Sequence, residues 1–367
     1  MRYIRFLKTP RIVDGDDLKT CRIDCLITIT SDLGDSFLPC DITLSAELWS
    51  DDLVEKKPIT SRKVEWKSYM RNSPITFLLP RNSIPGPLRV RISAEAESRA
   101  DQFDKLRNHD AEVPAVLSAW SAMIDPFTGV IEAEKRIERR LINLAKQPMT
   151  IWEETGESIA RHLWDAGLTL SVYLDRVMAL PKWSEPAPEA LRLQPGSGER
   201  VRIIELGTGC GMVGIGLAQT IPNADVIVTD LSEAEEIARF NIDQNGISRT
   251  SSIKFQTLEW GKPLPSSVSG RAFDLVIAAD CTYNPDSSPE FVATISQLVT
   301  LSPKAKVIVA MKVRHSSEEV FFTLMAEANF VVESKFVLPL HGDDEDSEEA
   351  VDVFLFGRNG KSENDKQ

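Results

Sequence analysis

Residues Val201 to Leu217 read VRIIELGTGCGMVGIGL. An apolar run, Val201 to Leu206, enters three glycines at alternate positions, Gly207, Gly209 and Gly211, and then an apolar helical pattern. This is a buried strand turning tightly into a helix, and the glycines let the backbone bend and let a ligand lie close to it beside a helix N-terminus. The spacing is G-x-G-x-G. The dinucleotide fingerprint needs its third glycine one place later, where Met212 stands, so NAD is disfavoured. Taken alone, the turn also fits a plain strand-to-helix connection.

The same grammar continues downstream. Strand candidates at Asp225 to Thr229, Ile253 to Leu258, Phe273 to Ala279 and Ala305 to Met311 alternate with helical stretches. That alternation implies the α/β class, a doubly wound and mostly parallel sheet with helices on both faces. The last two candidates, Phe330 to Leu338 and Val351 to Phe356, have no helix between them, so they should pair as an antiparallel hairpin and complete a seven-strand sheet. Upstream, Ser158 to Leu180 reads as a helix. Pro181 to Arg200 (PKWSEPAPEALRLQPGSGER), with four prolines and two glycines, reads as a long loop.

The first hundred residues are organised differently. Period-two runs at Arg22 to Thr30, Leu38 to Trp49, Lys63 to Met70, Ile75 to Leu79 and Leu88 to Ala94 read as half-buried antiparallel strands of a sandwich-like, β-rich module. It shows no cluster of His, Cys and carboxylates that reads as chemistry, so packing or partner contact is its expected role. From Ala111 to Gln147 the pattern turns helical. Ile131 to Lys146 (IEAEKRIERRLINLAK) sets Ile131, Ile137, Leu141, Ile142 and Leu144 largely on one face, as an amphipathic connector would. The expected organisation is therefore a β-rich module over 1–110, a helical connector over 111–150, the α/β domain over 151–358 and a disordered tail over 359–367.

The chain's 367 residues carry 42 Lys and Arg against 55 Asp and Glu, a net charge of −13. That balance disfavours strong sequence-independent binding to nucleic acid phosphates. No apolar run approaches the length of a membrane span, and Met1 to Pro10 has no apolar signal core, which points to the cytoplasm. The five cysteines form no C-x-x-C pair and suit a reducing compartment. His109, His162, His315 and His341 are scattered, and no metal site is expected.

The strand ends carry the chemistry. Asp230 ends VIVTD nineteen positions after Gly211, at the carboxyl end of the second strand. A carboxylate there can accept hydrogen bonds from both hydroxyls of a ribose, or it can cap the following helix. Trp260, in LEWGKPLP, puts an indole at the third strand's end, beside a nucleoside pocket or simply in the rim of the core. Ala278 to Tyr283, AADCTY, places Asp280 and Tyr283 at the end of the fourth strand, where open α/β sheets put reacting groups.

ELGTGCG, VTD, LEWG, the ADCTY of D-x-x-Y form and the upstream HLWDAGLTLSVYL (His162 to Leu174) together resemble the class I, seven-strand S-adenosylmethionine methyltransferases. Within these the chain resembles lysine methyltransferase family 16, as a fungal-type member with an N-terminal extension. The similarity spans roughly Trp152 to Gly357. It implies that Trp164 of WDAG, the glycine turn with Glu205, Gly207, Thr208, Gly209 and Gly211, and also Asp230, Trp260 and Ala279, contact S-adenosylmethionine. It implies too that Asp280 and Tyr283 serve the substrate amine. Targets in such families include translation factors and chaperones, so elongation factor 2 or a similar protein is the implied kind of substrate. The long loop before Val201 and the N-terminal module depart from compact members and leave the target open.

The residues agree with that chemistry. Methyl transfer from a sulfonium is a direct displacement that needs an amine lone pair in line with the methyl carbon. A lysine ammonium, with an ordinary pKa of about 10.4, must first lose a proton to water or a carboxylate. Asp280 can orient the ammonium, and Tyr283 offers an aromatic face and a hydroxyl. Nucleobase and glutamine methyltransferases resemble one another in an N-P-P-Y or D-P-P-Y segment at this strand end. Cys281 and Thr282 occupy the middle places here, which favours an aliphatic amine over a planar one. Acidic residues between His341 and Ala350 (Asp343, Asp344, Glu345, Asp346, Glu348, Glu349) form either a solvated loop or an attractor for a basic protein segment. The expected activity is protein-lysine N-methylation. A small-molecule amine methyltransferase and a catalytically idle cofactor-fold module are the alternatives.

Overall fold

The computed structural model describes residues 1–14, 19–50, 57–81, 86–95, 100–106, 114–154, 158–179, 200–340 and 349–359. All but the last residue of the Pro-rich loop, all but one acidic residue of the acidic run and nearly all of the expected tail therefore lie outside the described residues. The chain divides into two compact units, Met1–His162 with Leu340–Glu348, and Leu163–Pro339 with Glu349–Gln367.

The first unit is a two-sheet sandwich. One sheet has the order β5 (Ser73–Pro80), β2 (Thr20–Thr30), β1 (Arg2–Asp14), β7 (Val116–Leu117). The other runs β10 (Pro148–Glu154), β9 (Arg136–Ile142), β8 (Ala119–Ser121), β6 (Leu88–Ala94), β3 (Ile42–Ser50), β4 (Thr60–Trp66). Alternate residues point inward, so Ile4, Ile23 and Ile27 of the first sheet share one core with Leu44, Val90, Ile92 and Ile137 of the second.

The helical connector expected over 111–150 is not formed among the described residues, 114–150. Its central stretch is strand β9, paired antiparallel with β10 from Arg136↔Glu154 to Ile142↔Pro148. Its inward face is Ile137, Arg139 and Leu141, all buried. Arg139 is tolerated there because its Nε donates to Glu153 of β10 at 2.7 Å and its Nη1 donates to the Ser118 carbonyl at 2.9 Å.

In the second unit, α1 (Asp165–Ala179) precedes the alternating run β11 (Val201–Leu206), α2 (Met212–Thr220), β12 (Ala224–Asp230), α3 (Ser232–Gln244), β13 (Ser252–Thr257), α4 (Ser266–Ser269), β14 (Leu275–Ala279), α5 (Ser288–Leu301), β15 (Lys306–Met311), α6 (Val320–Glu327), β16 (Phe330–Pro339) and β17 (Ala350–Arg358). The seven strands lie in the order β13-β12-β11-β14-β15-β17-β16. The strands from β11 to β15 are parallel, and β17 runs antiparallel to both β15 and β16. A helix covers each face of a parallel sheet, so its strands are apolar throughout rather than alternating, as Ile203, Ile204 and Leu206 show by being fully buried. From β11 the chain steps outward to β12 on one side and later returns to β14 on the other. That reversal opens a crevice at the carboxyl ends of β11 and β14, the place where such sheets bind ligands.

Candidate active site

The glycine turn occupies this crevice. Gly207, Gly209 and Gly211 all have left-handed backbones, with φ of 64°, 54° and 87°. Gly207 is also fixed by space: a Cβ there would lie 2.5 Å from the Cys281 sulfur and 3.2 Å from the Trp260 ring. The Cys281 thiol donates to the Leu206 carbonyl at 3.3 Å, so the end of β14 is tied to the start of the turn. Burial and the surrounding carboxylates push this thiol well up, which keeps it protonated as a donor.

Glu205 is buried behind the turn. Its Oε2 accepts the Thr208 hydroxyl at 2.7 Å and the Gly214 N–H at 2.9 Å, clamping the turn onto the first turn of α2. Burial pushes its carboxyl up to about 8 against the two hydrogen bonds that lower it. Thr208 donates its N–H to the Thr229 carbonyl at 2.9 Å. On the far side, Asn241 of α3 donates its amide to the Cys210 carbonyl at 2.8 Å. Sequence reasoning passed over Asn241, whose only signal was a polar residue on the buried face of an amphipathic helix.

Asp230 closes the turn from β12. One oxygen accepts the Gly209 N–H at 2.8 Å and the other accepts the Leu231 N–H at 2.7 Å. A carboxylate has about four lone-pair sites, so two acceptor positions remain on a side chain that is only partly buried. This is the capacity that a vicinal diol needs. Burial raises the Asp230 carboxyl, while the two backbone hydrogen bonds oppose the rise. Trp260 lies against the turn, its ring 4.7 Å from that of Phe291 and close over Gly207. It belongs to the core edge and to the crevice wall at once. The residues present thus fit an adenosyl group: a bare glycine backbone, an open carboxylate and an aromatic wall.

The end of β14 is held from an unforeseen direction. Asp280 has a left-handed backbone, φ 56°, and its N–H donates to the Ala310 carbonyl at 2.8 Å just past Ala279. Its carboxylate accepts from Arg314 twice, Nη1 at 2.7 Å and Nη2 at 3.0 Å. The same guanidinium lies over the Trp164 ring, 5.5 Å from its centroid. Two residues earlier, Lys312 donates to the buried Asp165 at 3.0 Å and to Glu349 at 2.9 Å. Thr282 donates to the buried Glu318 at 3.2 Å, and Glu318 also accepts the backbone N–H groups of Arg314 and His315. The loop after β15 therefore binds both the WDAG and the D-x-x-Y segments. Lys312, Arg314 and Glu318 were missed in the sequence, although two cations at alternate places just after a buried strand were a usable signal.

Tyr283 sits apart from this network at the rim, 53% exposed. Partial burial and nearby negative charge raise its phenol, so the hydroxyl keeps its proton at neutral pH. The structure thus brings Glu205, Gly207, Thr208, Gly209, Gly211, Asp230 and Trp260 into one cluster, and links Trp164 to Asp280 through Arg314.

Comparison with known proteins agrees with this geometry. The lysine methyltransferase family model matches residues 143–328, about half of the chain. A UPF0665 family protein of Schizosaccharomyces pombe is 25% identical over 323 residues, covering 88% of this chain and 91% of its own. Protein N-lysine methyltransferase METTL21A of Mus musculus is 30% identical over 184 residues, 49% of this chain and 72% of its own. Protein-lysine N-methyltransferase EFM3 of Chaetomium thermophilum is 32% identical over 131 residues, 34% of this chain and 38% of its own. With its strand order, glycine turn and family match, the chain belongs to the lysine methyltransferase family, with S-adenosylmethionine as methyl donor.

Proposed function

We propose that this protein methylates the ε-amine of a lysine in a protein substrate, at the crevice between the glycine turn and the D-x-x-Y segment. The observation that carries the reading is the juxtaposition of Asp230, bound to Gly209 and still able to accept, with Asp280 and Tyr283 on the adjoining side of the same crevice. S-adenosylmethionine supplies the methyl group on a sulfonium. Asp230 would take the ribose hydroxyls, the glycine turn would give the ligand backbone access, and Trp260 with Ala279 would flank the base. Trp164 completes the cofactor side. Glu205 and Thr208 would act behind the turn, holding its shape.

On the substrate side, Asp280 would orient the incoming amine, and Tyr283 would present its ring face to the cation and its hydroxyl to the nitrogen. A phenol raised above its ordinary range keeps its own proton at neutral pH, so the lysine proton leaves to water or to a carboxylate. None of the five cysteines stands in a disulfide, which supports action in a reducing compartment such as the cytoplasm. A translation elongation factor is the substrate to test first.

Purified protein incubated with methyl-labelled S-adenosylmethionine and cell lysate, and separately with elongation factor 2, tests the reading. Label in a protein band, mapped to lysine by mass spectrometry, supports it. Label confined to small molecules, or no incorporation together with no heat on titration with S-adenosylhomocysteine, overturns it.

A further inference from the structure

The cation nearest to the D-x-x-Y carboxylate belongs to the protein itself. Arg314 meets both oxygens of Asp280 in a fork, at 2.7 and 3.0 Å, and the pair is largely buried, with side-chain exposures of 16% and 5%. A planar fork on a carboxylate fixes its rotation about the last side-chain bond, which a single hydrogen bond does not. The guanidinium has further anchors. It lies over Trp164, and Nη1 donates to the Lys312 carbonyl at 3.3 Å. The backbone N–H of Arg314 donates to Glu318 at 2.9 Å, and Glu318 is itself bonded to Thr282, one residue before Tyr283.

The loop after β15 thus grips the D-x-x-Y segment twice, once at Asp280 and once at Thr282. The segment needs such a grip. Asp280 holds a left-handed backbone that an L-residue adopts at a cost. Lys312 extends the same arrangement to Asp165, the residue after Trp164. One short loop therefore connects an aromatic residue proposed for the cofactor side to a carboxylate proposed for the amine side.

We propose that Arg314 is a positioning residue for methyl transfer, setting the orientation of Asp280 and its alignment with Trp164. This inference rests on the reading that Asp280 orients the amine. Arg314 acts through Asp280 and the Trp164 ring rather than on the reacting atoms. Loss of the fork removes the two-point hold on a carboxylate that also accepts the Lys312 backbone N–H at 3.4 Å, and misalignment on the scale of an ångström costs about a hundredfold in rate. A lysine at 314 keeps the charge but not the fork, so it restores only part of the rate.

The test measures initial rates with labelled S-adenosylmethionine and a dilution series of lysate protein for wild type, Arg314→Gln, Arg314→Lys, Asp280→Asn and the Asp280→Asn/Arg314→Gln double variant. Calorimetry with S-adenosylhomocysteine and thermal melting accompany each. Arg314→Gln is expected to lower the maximal rate by roughly 10- to 100-fold. The half-saturating lysate concentration and the S-adenosylhomocysteine affinity should each stay within about threefold. Arg314→Lys should fall between Arg314→Gln and wild type, and the double variant should be no slower than Asp280→Asn alone. Wild-type rates in both Arg314 variants while Asp280→Asn is impaired would overturn the proposal and leave the function of Asp280 standing. Multiplicative losses in the double variant, or a rate loss matched by a loss of cofactor affinity or melting temperature, would also overturn it. An unimpaired Asp280→Asn would remove the underlying reading instead.

Discussion

The carboxylate of Glu205, at the end of β11, accepts the backbone N–H of Gly214 in α2 at 2.9 Å and so bridges the glycine turn from behind. The bridge leaves no room for a side chain, since a Cβ on Gly214 would stand 2.8 Å from the same oxygen and 2.2 Å from Val228. The turn's shape is therefore set by a buried acid and a bare helix position acting together. This explains how a polar residue can sit in an otherwise apolar strand.

Burial lifts the Glu205 carboxyl from its ordinary 4.5 to about 8. A raised acid binds its proton more tightly in the folded state, so its contribution to stability is complete below about pH 4.5 and is lost as the pH climbs through about 8. Glu205→Gln keeps an acceptor for Thr208 and Gly214 and removes the titration. Its melting temperature should gain on that of wild type steadily from pH 5 to pH 8.5, as followed by circular dichroism. A constant difference over that range would refute the assignment.

Gly207→Ala places a methyl group against the Cys281 sulfur and imposes a positive φ on an alanine. The backbone term alone costs about 1–2 kcal/mol. The variant should unfold at lower urea and bind S-adenosylhomocysteine at least tenfold more weakly. Adding Cys281→Ala relieves the collision but not the φ, so the double variant should recover part of the stability and stay below wild type.

Asp230→Ala removes an acceptor of two backbone N–H groups together with the sites left for a ribose. Binding of S-adenosylhomocysteine should weaken by about 2 kcal/mol or more, roughly thirtyfold in calorimetry. Because burial raises this carboxyl, wild-type affinity should begin to fall on acidification at a higher pH than an ordinary aspartate would dictate. An unchanged dissociation constant would remove the ribose role.

In the sandwich, Glu153→Ala strips the main partner from the buried Arg139 guanidinium. An uncompensated interior charge costs about 3–5 kcal/mol, so urea unfolding should show a loss of that order. Replacing both residues together, Arg139→Met with Glu153→Leu, should recover most of it.

The parallel strands of the second unit were legible because each is a short apolar run between turn residues, and the antiparallel end was legible because no helix separates β16 from β17. The sandwich was harder. Strand β1 shows no clean alternation, since its register slips between Phe6 and Lys8 and again between Lys8 and Arg11. Strand β9 was read as helix because its inward face carries Arg139, a charge where period-two logic demands an apolar residue, within a segment rich in good helix formers. Only the partner on β10 makes that charge acceptable, and no local pattern announces it. The site divides in the same way. The turn, Asp230 and the D-x-x-Y segment are local motifs. Arg314 acts across 34 residues, and Glu205, marked in the sequence by its place in ELGTGCG, holds the turn from behind rather than at its surface.

Strand β17 lies between β15 and β16 although it follows both in the chain. During synthesis on a ribosome, therefore, β16 and the outer flank of β15, whose other flank pairs with β14, wait for their partner until the polypeptide has been extruded past residue 358. Glu349, at the entrance to β17, reaches Lys312 only at that moment. This end of the sheet is thus completed last, and a nascent chain stalled before this insertion would display two sticky strand borders suited to chaperone capture or aggregation.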